Sequence, residues 1–156
     1  MVLDINTVDN DKNLILHTKA KTVNFPLSDE VKNVIQNMLD SLKDLAKSSI
    51  PAGLAANQIV KDKENIPAIF ILNVNNSYKI FINPQIKLSG GTVKFKEACY
   101  SVPNKVIKKR RKKNVEITYY DEYGNLLTEK YFYEVSDLPI IIQHEFDHLQ
   151  GILIND

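Results

Sequence analysis

The sequence predicts an α+β fold: antiparallel β-sheets packed around a central helix near the C-terminus, with an amphipathic helix toward the N-terminus. Three observations predict it. An early stretch repeats apolar residues at three-and-four spacing, a late stretch of apolar and polar residues is bounded by helix start and stop signals, and the chain between them is rich in β-branched and aromatic runs separated by short turns.

The elements follow in order. From Leu27 to Lys47, Val31, Val34, Ile35, Met38, Leu39, Leu42 and Leu45 fall on one helical face, with Ser28 as N-cap and Asp29 and Glu30 at the positive end. Residues 48–58, SSIPAGLAANQ, hold neither period and read as a loop running into a strand. Ala68–Val74 and Tyr78–Ile82 form a hairpin around Asn75-Asn76. Asn83-Pro84 is expected to stop the second strand, Gln85–Leu88 to add another, and Ser89-Gly90-Gly91 to turn. Val115, Ile117 and Tyr119 alternate with Glu116 and Thr118, and a turn at Tyr123-Gly124-Asn125 leads back through Leu127, Glu129 and Tyr131. The last helix opens at Ser136-Asp137-Leu138-Pro139 and stops at Gly151.

At 156 residues the chain is about one domain long, and residues 1–156 read as one catalytic domain. Apolar residues at 44% and charged residues at 25% exclude disordered and fibrous classes. Twenty Lys plus Arg against nineteen Asp plus Glu leave a net charge of +1, so any attraction to nucleic acid must be local, and no specific nucleic-acid binding is expected. One cysteine forms no internal disulfide, the first residues lack a secretory pattern, and no apolar run approaches the roughly 20 residues that span a bilayer. A cytoplasmic protein with no membrane partner is expected.

Chemistry concentrates in the last helix. His144-Glu145-Phe146-Asp147-His148 places two imidazoles four residues apart on one face, able to share a metal, with Glu145 one step round to take a proton from a polarised water. Alone, such a string also occurs as two ordinary helical histidines. A hydrolytic site wants a third protein ligand and an open position. Only eight residues follow His148, with terminal Asp156 the one ligand type among them, so the ligand is sought upstream. Cys99 is the obvious thiolate, although most free cysteines are simply small buried hydrophobes.

Three segments resemble the motifs of peptide deformylases. That family carries G-x-G-L-A-A-x-Q, E-G-C-L-S and Q-H-E-x-D-H in this order. This chain has Pro51-Ala52-Gly53-Leu54-Ala55-Ala56-Asn57-Gln58, Glu97-Ala98-Cys99-Tyr100-Ser101 and Gln143-His144-Glu145-Phe146-Asp147-His148. The resemblance implies removal of the formyl group from the N-terminal formyl-methionine of new polypeptides. It implies one divalent metal ion on Cys99, His144 and His148: Fe(II) in the cell, with Zn, Ni or Co in purified protein. It further implies Glu145 as proton acceptor, and the Gln58 amide with the backbone N–H of Tyr100 as donors to the oxyanion. An N-formyl-methionyl nascent peptide would pair with Ala52 and Gly53 and seat its methionine against Ile140 and Ile141. Glu97 and Asp147 would orient the ligands from behind, and Arg111 falls where the family places an arginine near the peptide.

Three positions depart from the pattern: Pro51 and Ala98 stand where the family has glycine, and Tyr100 where it has leucine. Glycine at such positions serves a positive φ or a close approach, so the departures bear on the groove rather than the metal. The six cations Lys108–Lys113 read equally as a solvated edge strand or as an attraction to the acidic ribosome, in transient contact, or to the substrate's trailing end. The chain is expected to lack the C-terminal extension with which some family members contact the ribosome. Two other functions compete with deformylation: a redirected groove that hydrolyses other N-acyl amides or only binds formyl-peptides, and a ribosome-associated basic module with a structural metal.

Overall fold

The computed structural model describes residues 1–11, 14–49 and 52–156; Pro51 lies outside the described residues. Helix α1 runs from Asp29 to Leu45, and the Ser28 hydroxyl accepts the Val31 N–H at 3.2 Å, capping the first turn. Its apolar face buries Ile35, Met38 and Leu42 against Leu54, Ile59, Ile69, Ile71 and Ile82. Five strands follow: β1 (Gly53–Ala55), β2 (Ile69–Val74), β3 (Ser77–Cys99), β4 (Val102–Tyr120) and β5 (Leu126–Phe132). All pairs are antiparallel, and the sheet order is the chain order, so β1 and β5 are its edges. Helix α2, Leu138–Leu149, packs across β1, β2 and β4.

The predicted hairpins form for the expected reasons. Asn75 and Asn76 both take positive φ, 51° and 65°, which is what a two-residue turn matched to strand twist requires. Asp121 organises the β4–β5 turn by accepting the N–H groups of Tyr123 and Asn125, each at 2.9 Å. Gly151, at φ 78°, ends α2 where an added Cβ would meet the His17 carbonyl oxygen at 2.7 Å.

Two expected interruptions are absent. Asn83-Pro84 does not stop a strand, and Ser89-Gly90-Gly91 does not reverse the chain; both sit inside β3 at shifts of register with β4, between Ile82 and Gln85 and between Ser89 and Thr92. Asn83 (φ 51°) and Gly90 (φ 76°) supply the left-handed residues of bulges, which bend a strand without ending it. Asn83 also uses its side-chain amide, accepting from Val23 N–H and donating to Val23 C=O, each at 2.8 Å, to pin the N-terminal segment to the sheet. A third shift, between Ala98 and Cys99, re-aims the end of β3 where the chemistry lies.

Candidate metal centre and peptide groove

Cys99 closes β3, while His144 and His148 project from one face of α2. The fold brings their ligand atoms within 4.8 Å of one another. Cys99 Sγ lies 3.3 Å from His148 Nε2, and the two imidazole rings stand edge to face with centroids 5.0 Å apart. Glu97, two residues before the cysteine, accepts from His144 Nδ1 at 2.9 Å, which leaves His144 Nε2 free to coordinate a metal. One thiolate and two imidazoles, neutral once they coordinate, are a fitting donor set for zinc or iron.

The electrostatics favour a cation here. Burial would lower the pKa of His144, but hydrogen bonds with Cys99 and Glu97 and the charge of Glu145 override it and push the group up to about 10. His148, by contrast, is held well below its ordinary value by burial and by the charges of His144 and Arg111, which keeps its ring neutral, the form that can coordinate a metal. Glu145 is pushed up to about 7, chiefly by burial, with His144 opposing and Glu97 reinforcing. Its Oε1 is 4.0 Å from His144 Nε2, and its Oε2 is buried with no hydrogen-bond partner. A buried carboxylate oxygen without a donor is costly unless something else fills the site. A cation with its water would relieve both His144 and Glu145.

Gln58 reaches the same centre from the short 3₁₀ turn after β1. Its Oε1 accepts the Ala55 N–H at 2.9 Å, which fixes the amide so that Nε2 points to Ser101 Oγ (3.1 Å) and Cys99 Sγ (3.7 Å). Tyr100 occupies the tight turn between β3 and β4, and its hydroxyl bonds to Ser49 Oγ beyond the end of α1. A cavity of about 220 Å³ opens in front of these groups. Its lining includes Ala52 and Gly53 from β1 and its approach, Ala98 and Tyr100 from the β3 end, and Ile140 and Ile141 from α2. Gly53 is needed for closeness rather than for its φ: an added Cβ would lie 2.8 Å from the Ile71 oxygen and 3.3 Å from Glu145 Cγ. Because β1 is an edge strand, its outward backbone is unpaired by the sheet and suits an added peptide strand. Ala98 does not adopt a positive φ, so its methyl group is a question of room in the groove alone.

One expected placement is corrected. Arg111 does not line the cavity but lies behind the ligand-type side chains, 7% exposed, donating through Nε and Nη2 to Glu97 (both 2.7 Å) and through Nη1 to Asp147 (2.6 Å). It shares strand parity with buried Val115, Ile117 and Tyr119, and that parity in the sequence could have marked it as inward. Glu97 is consequently held down at about 2: burial alone would raise it, but hydrogen bonds from Arg111 and His144 prevail. Asp147 therefore acts on the site through Arg111. Two further residues stand inside the quoted motifs without a role that the sequence announces. Ser101, fully buried, receives Gln58. Gln143 clamps α2 to β4 by accepting Lys112 N–H at 3.2 Å and donating to Lys112 C=O at 2.8 Å. No helix among the described residues is long and apolar enough to cross a membrane.

Comparison with known proteins agrees with this geometry. The family model described as polypeptide deformylase matches residues 2–156. A peptide deformylase of Aquifex aeolicus is 32% identical over 167 aligned positions, covering 100% of this chain and 87% of the relative. The crystal structure of peptide deformylase from Thermotoga maritima superposes with a TM-score of 0.83 at 26% identity, covering 100% of this chain and 97% of the other. A peptide deformylase from Synechococcus elongatus, solved in complex with actinonin, gives a TM-score of 0.82 at 28% identity over 99% of this chain and 77% of the other. Sequence, fold and the Cys/His/His group agree, and the chain belongs to the polypeptide deformylase family of hydrolytic enzymes.

Proposed function

We propose that the protein hydrolyses the formyl group from the N-terminal formyl-methionine of newly made polypeptides, using one divalent ion on Cys99, His144 and His148. When bound, the ion would act as a Lewis acid toward the formyl carbonyl and lower the pKa of water. Fe(II) is the cellular ion in this reading, with Zn, Ni or Co serving in purified protein. Nascent-peptide substrate places the enzyme in the cytoplasm, where translation occurs.

The residues divide the remaining work. Glu145 takes a proton from the attacking water as its oxygen joins the formyl carbon. It returns that proton to the amine nitrogen as the carbon–nitrogen bond breaks, so formate and a free N-terminus leave. The Gln58 side-chain N–H and the Tyr100 backbone N–H donate to the oxygen on which negative charge develops. The backbone at Ala52 and Gly53 aligns the peptide as an added strand, and Ile140, Ile141 and Ala98 border the space for the methionine side chain.

The observation that carries this reading is Glu145: a carboxylate 4% exposed, with one oxygen unpartnered, in the same cavity as three ligand-type side chains. A structural metal would need neither that buried base nor the oriented Gln58 amide. The test is formate release from formyl-Met-Ala-Ser by protein purified without oxygen and loaded separately with iron, nickel and zinc, beside acetyl-Met-Ala-Ser. Cleavage of the formyl peptide with the acetyl peptide spared is expected. No formate from any fully loaded form would overturn the reading, and acetyl cleavage would redirect it to another N-acyl amide.

A further inference from the structure

The six-cation run divides by strand parity into two unlike sets. Arg111 turns inward, whereas Lys108, Arg110 and Lys112 are all exposed on the opposite face of β4. In register across from them on β3 lie Lys96, Lys94 and Thr92, also exposed. Lys94 therefore stands directly opposite Arg110, and Lys96 opposite Lys108. Like charges placed directly across a strand pair repel and cost stability. No acidic residue shares this face between the Thr92–Lys112 and Ala98–Val106 pairs, and none of the five cations forms an ion pair among the described residues. Of twenty Lys plus Arg, these five leave fifteen against nineteen acids, so the rest of the chain carries a net charge of −4.

We propose that the outer face of the β3–β4 arm binds the phosphodiester backbone of nucleic acid without regard to base sequence. The three cations of β4 alternate along the strand and so recur every ~6.8 Å, a row far longer than any small anion. A polymer bearing a charge at every unit can engage the whole row and release counterions from it. Protein interfaces, in contrast, are depleted in Lys and centre on aromatic anchors, and lasting attachment to a membrane takes an apolar or lipid anchor beside a basic patch. This face offers only Ala98 and Val106 at its end, and it has no aromatic side chain on which bases could stack. The ladder ends at the groove, since Lys96 and Ala98 also line the cavity, so a bound backbone would lie beside the peptide entrance.

The experiment uses the full, metal-loaded chain and fluorescence anisotropy with two labelled 20-nucleotide single-stranded RNAs of unrelated sequence, and DNAs of the same sequences. Both RNAs should bind alike, with log K falling against log salt with a slope of about −3.5 for five contacts at ~0.7 each. Lys94→Gln, Lys108→Gln, Arg110→Gln together should reduce that slope to about −1.4 by the same rule and weaken binding at least tenfold, leaving formyl-Met-Ala-Ser turnover unchanged. Equal binding of DNA would identify the phosphodiester chain alone as the ligand, and weaker binding of DNA would assign RNA; both support the surface. Lys32→Gln, Lys63→Gln, Lys130→Gln, equal in charge but on other elements, should change neither affinity nor turnover. The proposal is overturned if the two triple variants lose affinity equally, if no RNA or DNA binds at low salt, or if only poly-glutamate or phosphatidylserine vesicles bind. Because turnover is read separately, failure here leaves the hydrolytic reading intact, and failure of that reading leaves this one intact.

Discussion

Glu97 Oε1 sits 2.9 Å from His144 Nδ1, so the strand that ends in Cys99 also aims an imidazole of the facing helix. With Glu97 ionised, Nδ1 carries the hydrogen and Nε2 is left to coordinate. Arg111 holds Glu97 from the other side with a two-point grip, and it ties the same carboxylate to Asp147 on α2. Cys99 and His144 are therefore positioned by one buried ionic group that links the two elements.

Replacing Glu97 by Gln should lower metal affinity by about ten- to a hundredfold, measured by competition with a chelator, because the ring loses its charged partner. It should also flatten the acid response. An unfolded glutamate titrates near 4.5 and Glu97 in the fold near 2, so its contribution is complete above about 4.5 and is lost as pH falls toward 2. Urea midpoints of the wild type should drop more steeply across that window than those of Glu97→Gln; parallel curves would contradict the assignment.

Gly53→Ala should destabilise the protein by about 1–3 kcal/mol, since the new methyl group overlaps the Ile71 oxygen and the Leu72 side chain and presses on Glu145. Turnover should fall with it. Gly91→Ala is the control, as an added Cβ there meets nothing within 4 Å. Equal melting temperatures for the two variants would show that β1 yields to the extra carbon.

Ala98→Gly should raise kcat/KM for formyl-methionyl peptides several-fold, on the order of 1 kcal/mol, because the methyl group borders the route of the peptide backbone. Formyl-methionine alone, which has no trailing chain, should respond less. An unchanged value for both substrates would mean that the groove accommodates the methyl group freely.

Much of this architecture is legible in the sequence, and the losses have physical causes. The α1 stripe from Val31 to Leu42, the Ser28 cap and the Asn75-Asn76 turn are local features, so periodicity and turn chemistry reveal them. Asn83-Pro84 and Ser89-Gly90-Gly91 mislead because a left-handed residue serves a bulge as well as a turn, and only pairing with β4 distinguishes the two. His144, His148 and Glu145 are legible through helical spacing, and Cys99 by being the sole cysteine. Arg111 is obscured by its neighbours: in six consecutive cations nothing but alternation tells which one is buried. Ser101 and Gln143 act by hydrogen bonds to groups far along the chain, and no local pattern announces such partners.

Glu145 as the proton acceptor is tested by Glu145→Gln, assayed with its metal content measured in the same preparation. Wild type and variant alike should hold about one equivalent of metal per chain and share a melting temperature, while the variant loses turnover of formyl-Met-Ala-Ser by roughly a hundredfold or more, because the amide keeps the shape but cannot accept the proton. Near-wild-type turnover with a full complement of metal would contradict that role and place the base elsewhere.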